Sequence, residues 1–351
     1  TGPEKELAKT VMRYRGITWG NANMALLAEG LQGKQRAKVS KLNPSTGATE
    51  LLFDRSTNDR YNDPGSPETH RNAFGRNVLL TVNNGRDIVM TGAGASPDGD
   101  LPFYALFNTE TKKHEIIWRC QKGYYESISE VLDADKGLVI TSRQSPTEVP
   151  NYYLRNLKDG SIKPLTQFAD PQPALRKVSK QKITYKRQDG VDLTATVYLP
   201  EGYTASRDGR LPIIMWAYPR EFKSASDAAQ VRGSQYTFTR TNYGSPVYYV
   251  TQGYAVMEET EFPIVGEGDK QPNDNFVEQL IWNAQAALKA AHELGWGDTS
   301  RAAVGGHSYG AFMIVNLLAH SRLFKAGIAR SGAYMRTLTP FGFQNEERTY
   351  W

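Results

Sequence analysis

The stretch RAAVGGHSYGAFM, residues 301–313, decides the fold of the second half of the chain. RAAVGG (301–306) is short and apolar and predicts a strand, while AFMIVNLLAHS (311–321) predicts a helix. Between them Gly306-His307-Ser308-Tyr309-Gly310 spells G-x-S-x-G around Ser308. Strand, sharp turn and helix are the setting in which that motif forms a nucleophile elbow. The turn lifts the serine hydroxyl above the sheet. Side chains two residues either side would collide, so Gly306 and Gly310 are needed there. The helix that follows points its first amides, and the positive end of its dipole, at an oxygen gaining charge. The backbone N–H of Tyr309 is therefore a candidate oxyanion donor. The bland reading of the same residues is a glycine-rich turn with a capping serine.

Outward from the elbow, strands and helices alternate. LPIIMWAY (211–218) is a continuous apolar run, as a buried parallel strand should be, and GYAVMEET (253–260) is similar. Phe276, Val277, Leu280, Ile281, Ala284, Leu288, Ala291 and Leu294 follow helical spacing and predict a helix at about 274–294. Asp274 is its candidate N-cap and Gly295 its candidate stop. KAGIARSG (325–332) predicts another strand, and KITYKRQ (182–188) with DLTATVYLP (192–200) a hairpin around Asp189-Gly190. The pattern is a doubly wound α/β unit.

The first half repeats. Three stretches, beginning at Met24, Asp87 and Gly137, each read strand, loop, strand, tight turn, strand. That interval is near the one-blade period of a β-propeller, and three or four blades do not close a ring alone. A single β-sandwich is the competing reading.

Composition narrows the classes. The chain has 351 residues, 39% hydrophobic and 23% charged, which excludes a disordered or fibrous chain and suggests two domains. The net charge of +5 splits into +2 for residues 1–175 and +3 for 176–351. Neither half is a basic arm, so nucleic acid is not implied. The cluster Arg176, Lys177, Lys180, Lys182, Lys186 and Arg187 reads as a solvated face. A lone Cys120 excludes a disulfide framework and a multi-cysteine zinc site. No run of about 18 apolar residues predicts a membrane span. No His, Asp, Glu and Cys constellation points to a metal, and no cofactor is expected.

GWGDTSRAAVGGHSYGAFM (295–313) followed by FKAGIARSGAY (324–334) resembles the prolyl oligopeptidase family of serine peptidases. WAYPREF (216–222), QVRGS (230–234) and ARSGAYMRTLTPFGFQNEERTYW (329–351) extend the resemblance, which lies nearest to the glutamyl endopeptidase branch. It covers most of 176–351 and is looser before that. Many members have Gly where this chain has Ala311, a departure that leaves the elbow intact. The fold it implies is a partial β-propeller over 1–175 followed by a partial α/β-hydrolase domain over 176–351, with C-terminal strands absent. Tyr218 matches the tyrosine whose hydroxyl is the second oxyanion donor. A preference for glutamate needs a cation, and arginine offers a permanent charge and a bidentate fork. Arg336 sits where relatives of other specificity place an aromatic wall, with Arg330 and Arg232 as runners-up. Each of the three could equally be paired with a local carboxylate.

In this fold the triad runs Ser, then acid, then His. The residues after Ser308 contain no Asp, their one His is His320, and their acids are Glu346 and Glu347. The expectation is therefore a chain that lacks the triad Asp and His and is inactive alone, the missing N- and C-terminal parts lying elsewhere in the same protein. The complete protein is expected to cleave peptides after glutamate through an acyl-enzyme on Ser308. The alternatives are an esterase, an acylaminoacyl- or dipeptidyl-type peptidase, or a non-catalytic peptide-binding scaffold. Oligomeric state is not legible. Localisation is likewise open, the resemblance implying a bacterial periplasm or a plastid-like compartment.

Overall fold

A computed structural model describes residues 2–4, 6–31 and 34–334. They fall into two units. One holds the residues up to Ser145 with Pro150–Phe168, and the other holds Pro146–Val149 and the described residues from Ala169 onward.

The first unit is built of antiparallel sheets. β1 (Arg13–Asn21), β2 (Met24–Leu31), β3 (Arg36–Leu42) and β4 (Thr49–Ser56) pair in chain order. β5 (Asp87–Gly92), β6 (Phe103–Asn108) and β7 (His114–Arg119) form a second sheet, with Ser66–Pro67 and Thr81–Val82 along the edge of β5. β8 (Tyr125–Asp133), β9 (Leu138–Gln144), β10 (Asn151–Asn156) and β11 (Ile162–Pro164) form a third. Each contains the three strands of the sequence repeat. The first and third sheets add a strand in front, β1 and β8, whose interspersed charges and bulged registers hide them from a periodicity argument.

Met24, Ala25, Leu26 and Leu27 of β2 are all buried, as are Ile88, Val89 and Met90 of β5. A strand apolar on both faces must be covered on both. Successive side chains on a strand point to opposite faces. Ile88 and Met90 accordingly pack with Met24 and Leu26 of the first sheet, and Val89 with Val139 of the third. The second sheet is thus sandwiched between the other two. Phe53 and Phe107, with ring centroids 4.5 Å apart, join the first sheet to the second.

The second unit has one six-stranded sheet. β12 (Ser179–Lys186) and β13 (Asp192–Leu199) form the expected hairpin. β14 (Leu211–Phe222), β15 (Ala255–Val265), β16 (Gly297–His307) and β17 (Ala326–Arg330) are parallel, in the spatial order β12-β13-β15-β14-β16-β17. The helices α1 (Phe276–Glu293) and α2 (Tyr309–His320) share a core with the central strands, in which Ile213, Met215, Met257, Leu280, Met313 and Ile314 are fully buried.

Two expectations change. Asp274 does not cap α1. Its carboxylate accepts from the Gln271 amide in a preceding 3-10 turn, Pro272–Asn275, and Asn275 stands at the N-cap. Gly295 does end the helix, at φ +86°. The basic cluster is not a solvated face. Lys182 donates to the Arg232 carbonyl, Lys180 to that of Thr237, and Arg176 to that of Thr239. Arg187, only 2% exposed, is held by Asp189, the Pro263 carbonyl and Asn283. Only Lys177 and Lys186 lie mostly in solvent, paired with Glu201 and Asp192. A segment without regular structure must satisfy its carbonyls somehow, and here these side chains take them.

Candidate active site

Ser308 lies where β16 turns into α2, at φ +56° and ψ −114°. That backbone region is costly for a residue with a Cβ. Its amide donates to the Arg330 carbonyl of β17 at 2.9 Å, and its own carbonyl accepts from Ala311 and Phe312, which starts the helix. The glycines leave no alternative. A Cβ on Gly306 would lie 2.8 Å from the Ala217 carbonyl oxygen and 2.9 Å from the Gly310 carbonyl carbon, and one on Gly310 would lie 2.7 Å from the same Ala217 oxygen. Gly305 faces the Trp216 indole so closely that any side chain would overlap it. The serine is thus held at the carboxyl end of a parallel strand, where open α/β sheets bind ligands. No described side chain hydrogen-bonds its hydroxyl.

Tyr309 is the first residue of α2, where a backbone N–H has no intrahelical acceptor. Its ring stacks on Phe276 and Phe312 at 5.6 and 6.0 Å, and its hydroxyl donates to Glu221 Oε1 at 3.2 Å. The main chain at the elbow is therefore anchored by the packed and hydrogen-bonded Tyr309 side chain. Tyr218 sits two residues beyond the Trp216–Gly305 pairing of β14 with β16. It is 44% exposed, meets Tyr309 edge-to-face at 6.1 Å, and passes 3.7 Å from where a Gly310 Cβ would be. Ser308, the Tyr309 amide and Tyr218 are thus brought together.

The arginines part company. Arg330 adjoins the elbow, but its Nη1 donates to the Gly244 carbonyl at 3.0 Å and its guanidinium lies 5.4 Å from the Tyr243 ring centroid. Arg232 lies over Phe222 and pairs with Glu261 at 3.9 Å. Burial pushes the Glu261 carboxyl above its ordinary value, against the pull of the Thr194 amide, Lys182 and Arg232. Arg336 lies outside the described residues. Sequence reasoning missed Arg220 and Glu221. The apolar run LPIIMWAY stops at Tyr218, whereas the strand itself runs on through Pro219 to Phe222. Among the described residues, no group of three His, Cys, Asp or Glu side chains could hold a metal ion, and no helix is long and apolar enough to cross a membrane.

A serine at a strained turn between a parallel strand and a helix, flanked by close-packed glycines, is the nucleophile-elbow arrangement of the α/β-hydrolase class. Residues 267–342 match the model of the prolyl oligopeptidase family. Two plant proteins carry the curated name "Probable glutamyl endopeptidase, chloroplastic". The one from Oryza sativa subsp. japonica is 43% identical over 360 residues, covering 98% of this chain and 38% of the relative. The one from Arabidopsis thaliana is 42% identical over 367 residues, covering 100% and 38%. This chain thus spans about 38% of the length of these relatives. Among solved structures, a candidate dipeptidyl aminopeptidase IV from Bacteroides ovatus superposes with a TM-score of 0.57 at 19% identity, over 90% of this chain and 51% of that one. Porphyromonas gingivalis dipeptidyl peptidase 4 gives 0.54 at 14% identity, over 88% and 47%. At such identities the likeness is one of fold.

Proposed function

We propose that the complete protein carrying this chain is a serine peptidase that cuts peptide bonds after glutamate. The observation that carries this is Ser308, held at φ +56° between glycines that tolerate no side chain. A fold tolerates such strain where function repays it. Ser308 Oγ gives up its proton and attacks the scissile carbonyl, and the tetrahedral intermediate collapses by breaking the C–N bond, releasing the protonated amine product and leaving an acyl-enzyme. The Tyr309 N–H and the Tyr218 hydroxyl donate to the oxyanion. Water then releases the acid. A serine at its ordinary pKa is a weak nucleophile and needs a base. We assign that base, a histidine, and its orienting acid to parts of the protein beyond this chain, since no Asp and no His but His320 follow Ser308 here. This chain by itself is then inactive. The glutamate preference is supported by the name shared by the two plant relatives. The three stacked antiparallel sheets support a reading of the first unit as propeller blades that restrict substrates to peptides.

The test is turnover by the complete protein of peptides with Glu, Gln, Ala or Pro before the scissile bond, beside its Tyr218→Phe variant. Cleavage after Glu, with kcat about 10²-fold lower in the variant, is expected. Cleavage with no Glu preference would leave a peptidase or esterase of other specificity.

A further inference from the structure

Tyr218 and Arg220 stand two residues apart on β14 and project from the same face of the strand. The Arg220 guanidinium carbon lies 5.9 Å from the centroid of the Tyr218 ring. Beyond that ring, Arg220 has no hydrogen-bond or ion-pair partner among the described residues, and it is exposed. Its neighbours are committed otherwise: Arg330 to the Gly244 carbonyl, Arg232 to Glu261, and Lys223 to the Lys270 carbonyl. The adjacent carboxylate does not neutralise it. Glu221 projects to the other face and accepts from the Tyr309 hydroxyl.

We propose that Arg220 is a specificity-determining residue, whose guanidinium receives an acidic side chain of the substrate beside the bond that is cut. The inference rests on the serine-peptidase reading and goes beyond it by naming the acceptor. A guanidinium lying against an aromatic ring keeps its N–H fork open at its edge, and that fork matches a carboxylate in two parallel hydrogen bonds. Tyr218 would hold the scissile carbonyl oxygen, so a residue flanking that carbonyl comes within one side chain's reach of Arg220. Attraction to the Tyr218 ring also biases the long arginine toward the site before substrate arrives, which lowers the entropy lost on binding. A glutamine side chain has the shape of glutamate but cannot make the charge-assisted pair, so the charge alone is read.

The experiment compares kcat/KM for matched Glu and Gln peptides in the complete protein and in Arg220→Gln, with fluorophosphonate labelling of Ser308 as a check that the elbow is folded. The expected result is a Glu-to-Gln ratio that falls ~10- to 100-fold in Arg220→Gln, the range of a hydrogen-bonded charge. An unchanged ratio in a variant that still labels overturns the proposal while the serine reading stands. Failure of the wild-type protein to label removes the serine reading, and the proposal with it. Should Arg220→Gln not fold, Arg220→Lys decides. It keeps the charge and loses the fork, so a reduced ratio supports the proposal and an equal one overturns it. Arg220→Glu adds an independent arm, with a shift toward peptides carrying Lys at that position expected.

Discussion

Ser308 occupies a backbone conformation that glycine would adopt at little cost. Holding a residue with a Cβ there costs on the order of 1–3 kcal/mol, whereas a glycine adds roughly 0.5–1 kcal/mol of chain entropy. Ser308→Gly should therefore stabilise the protein, by about 1 kcal/mol, while removing the nucleophile. A thermal unfolding midpoint above wild type is expected, and one below it would mean that the turn is not strained. The elbow was legible in sequence because its constraint is local: serine, glycines and the helix start lie within a few residues. The arginines were not. Arg330 meets a carbonyl 86 positions away, and Arg232, in a loop, meets a carboxylate on β15. Nothing in the residue type says whether a guanidinium will find a backbone oxygen, an acid or solvent.

At the scale of the element, β14 and β15 show what an apolar run reveals and what it hides. Both were legible as buried strands from LPIIMWAY and GYAVMEET. The irregularity in their pairing was not. Between the Met215–Met257 and Ala217–Thr260 pairs, β14 has one residue and β15 has two, with Glu259 at φ +50°. This bulge tucks Glu258 into the protein. Burial first, and the charge of Glu259 second, push its carboxyl up to about 7, against Lys180 and hydrogen bonds with Tyr198 and Ser245. Burial likewise pushes the Lys180 ammonium down to about 8, opposed by Glu259 and Glu258 and helped by Lys182. A carboxyl raised in the folded state contributes stability that is whole below its unfolded value of 4.5 and is lost as pH rises through about 7. The loss is roughly 3 kcal/mol. Glu258→Gln should therefore gain on wild type between pH 5 and pH 8. Denaturation curves of both proteins at the two pH values measure this, and a gap independent of pH would refute it.

At the scale of the whole molecule, the repeat of three strands and the alternation of strand and helix separated two architectures along the chain. Periodicity carried that distinction because sheets stacked on sheets need strands apolar on both faces, as in β2 and β5, while a parallel sheet needs helices with one apolar stripe, as in α1. What periodicity could not carry was the polar layer: the side chains of Arg176, Lys180 and Lys182 closing on backbone carbonyls more than 45 positions away. It also misplaced the start of α1, since a capping acid serves a 3-10 turn as readily as a helix. The proposed peptidase chemistry requires one activated serine in the complete protein. The decisive measurement treats the complete protein with a fluorophosphonate and maps the adduct by peptide mass spectrometry. One phosphonylated residue, Ser308, and no labelling of Ser308→Ala are expected. Modification elsewhere, or an unlabelled Ser308 in the folded complete protein, would contradict that chemistry.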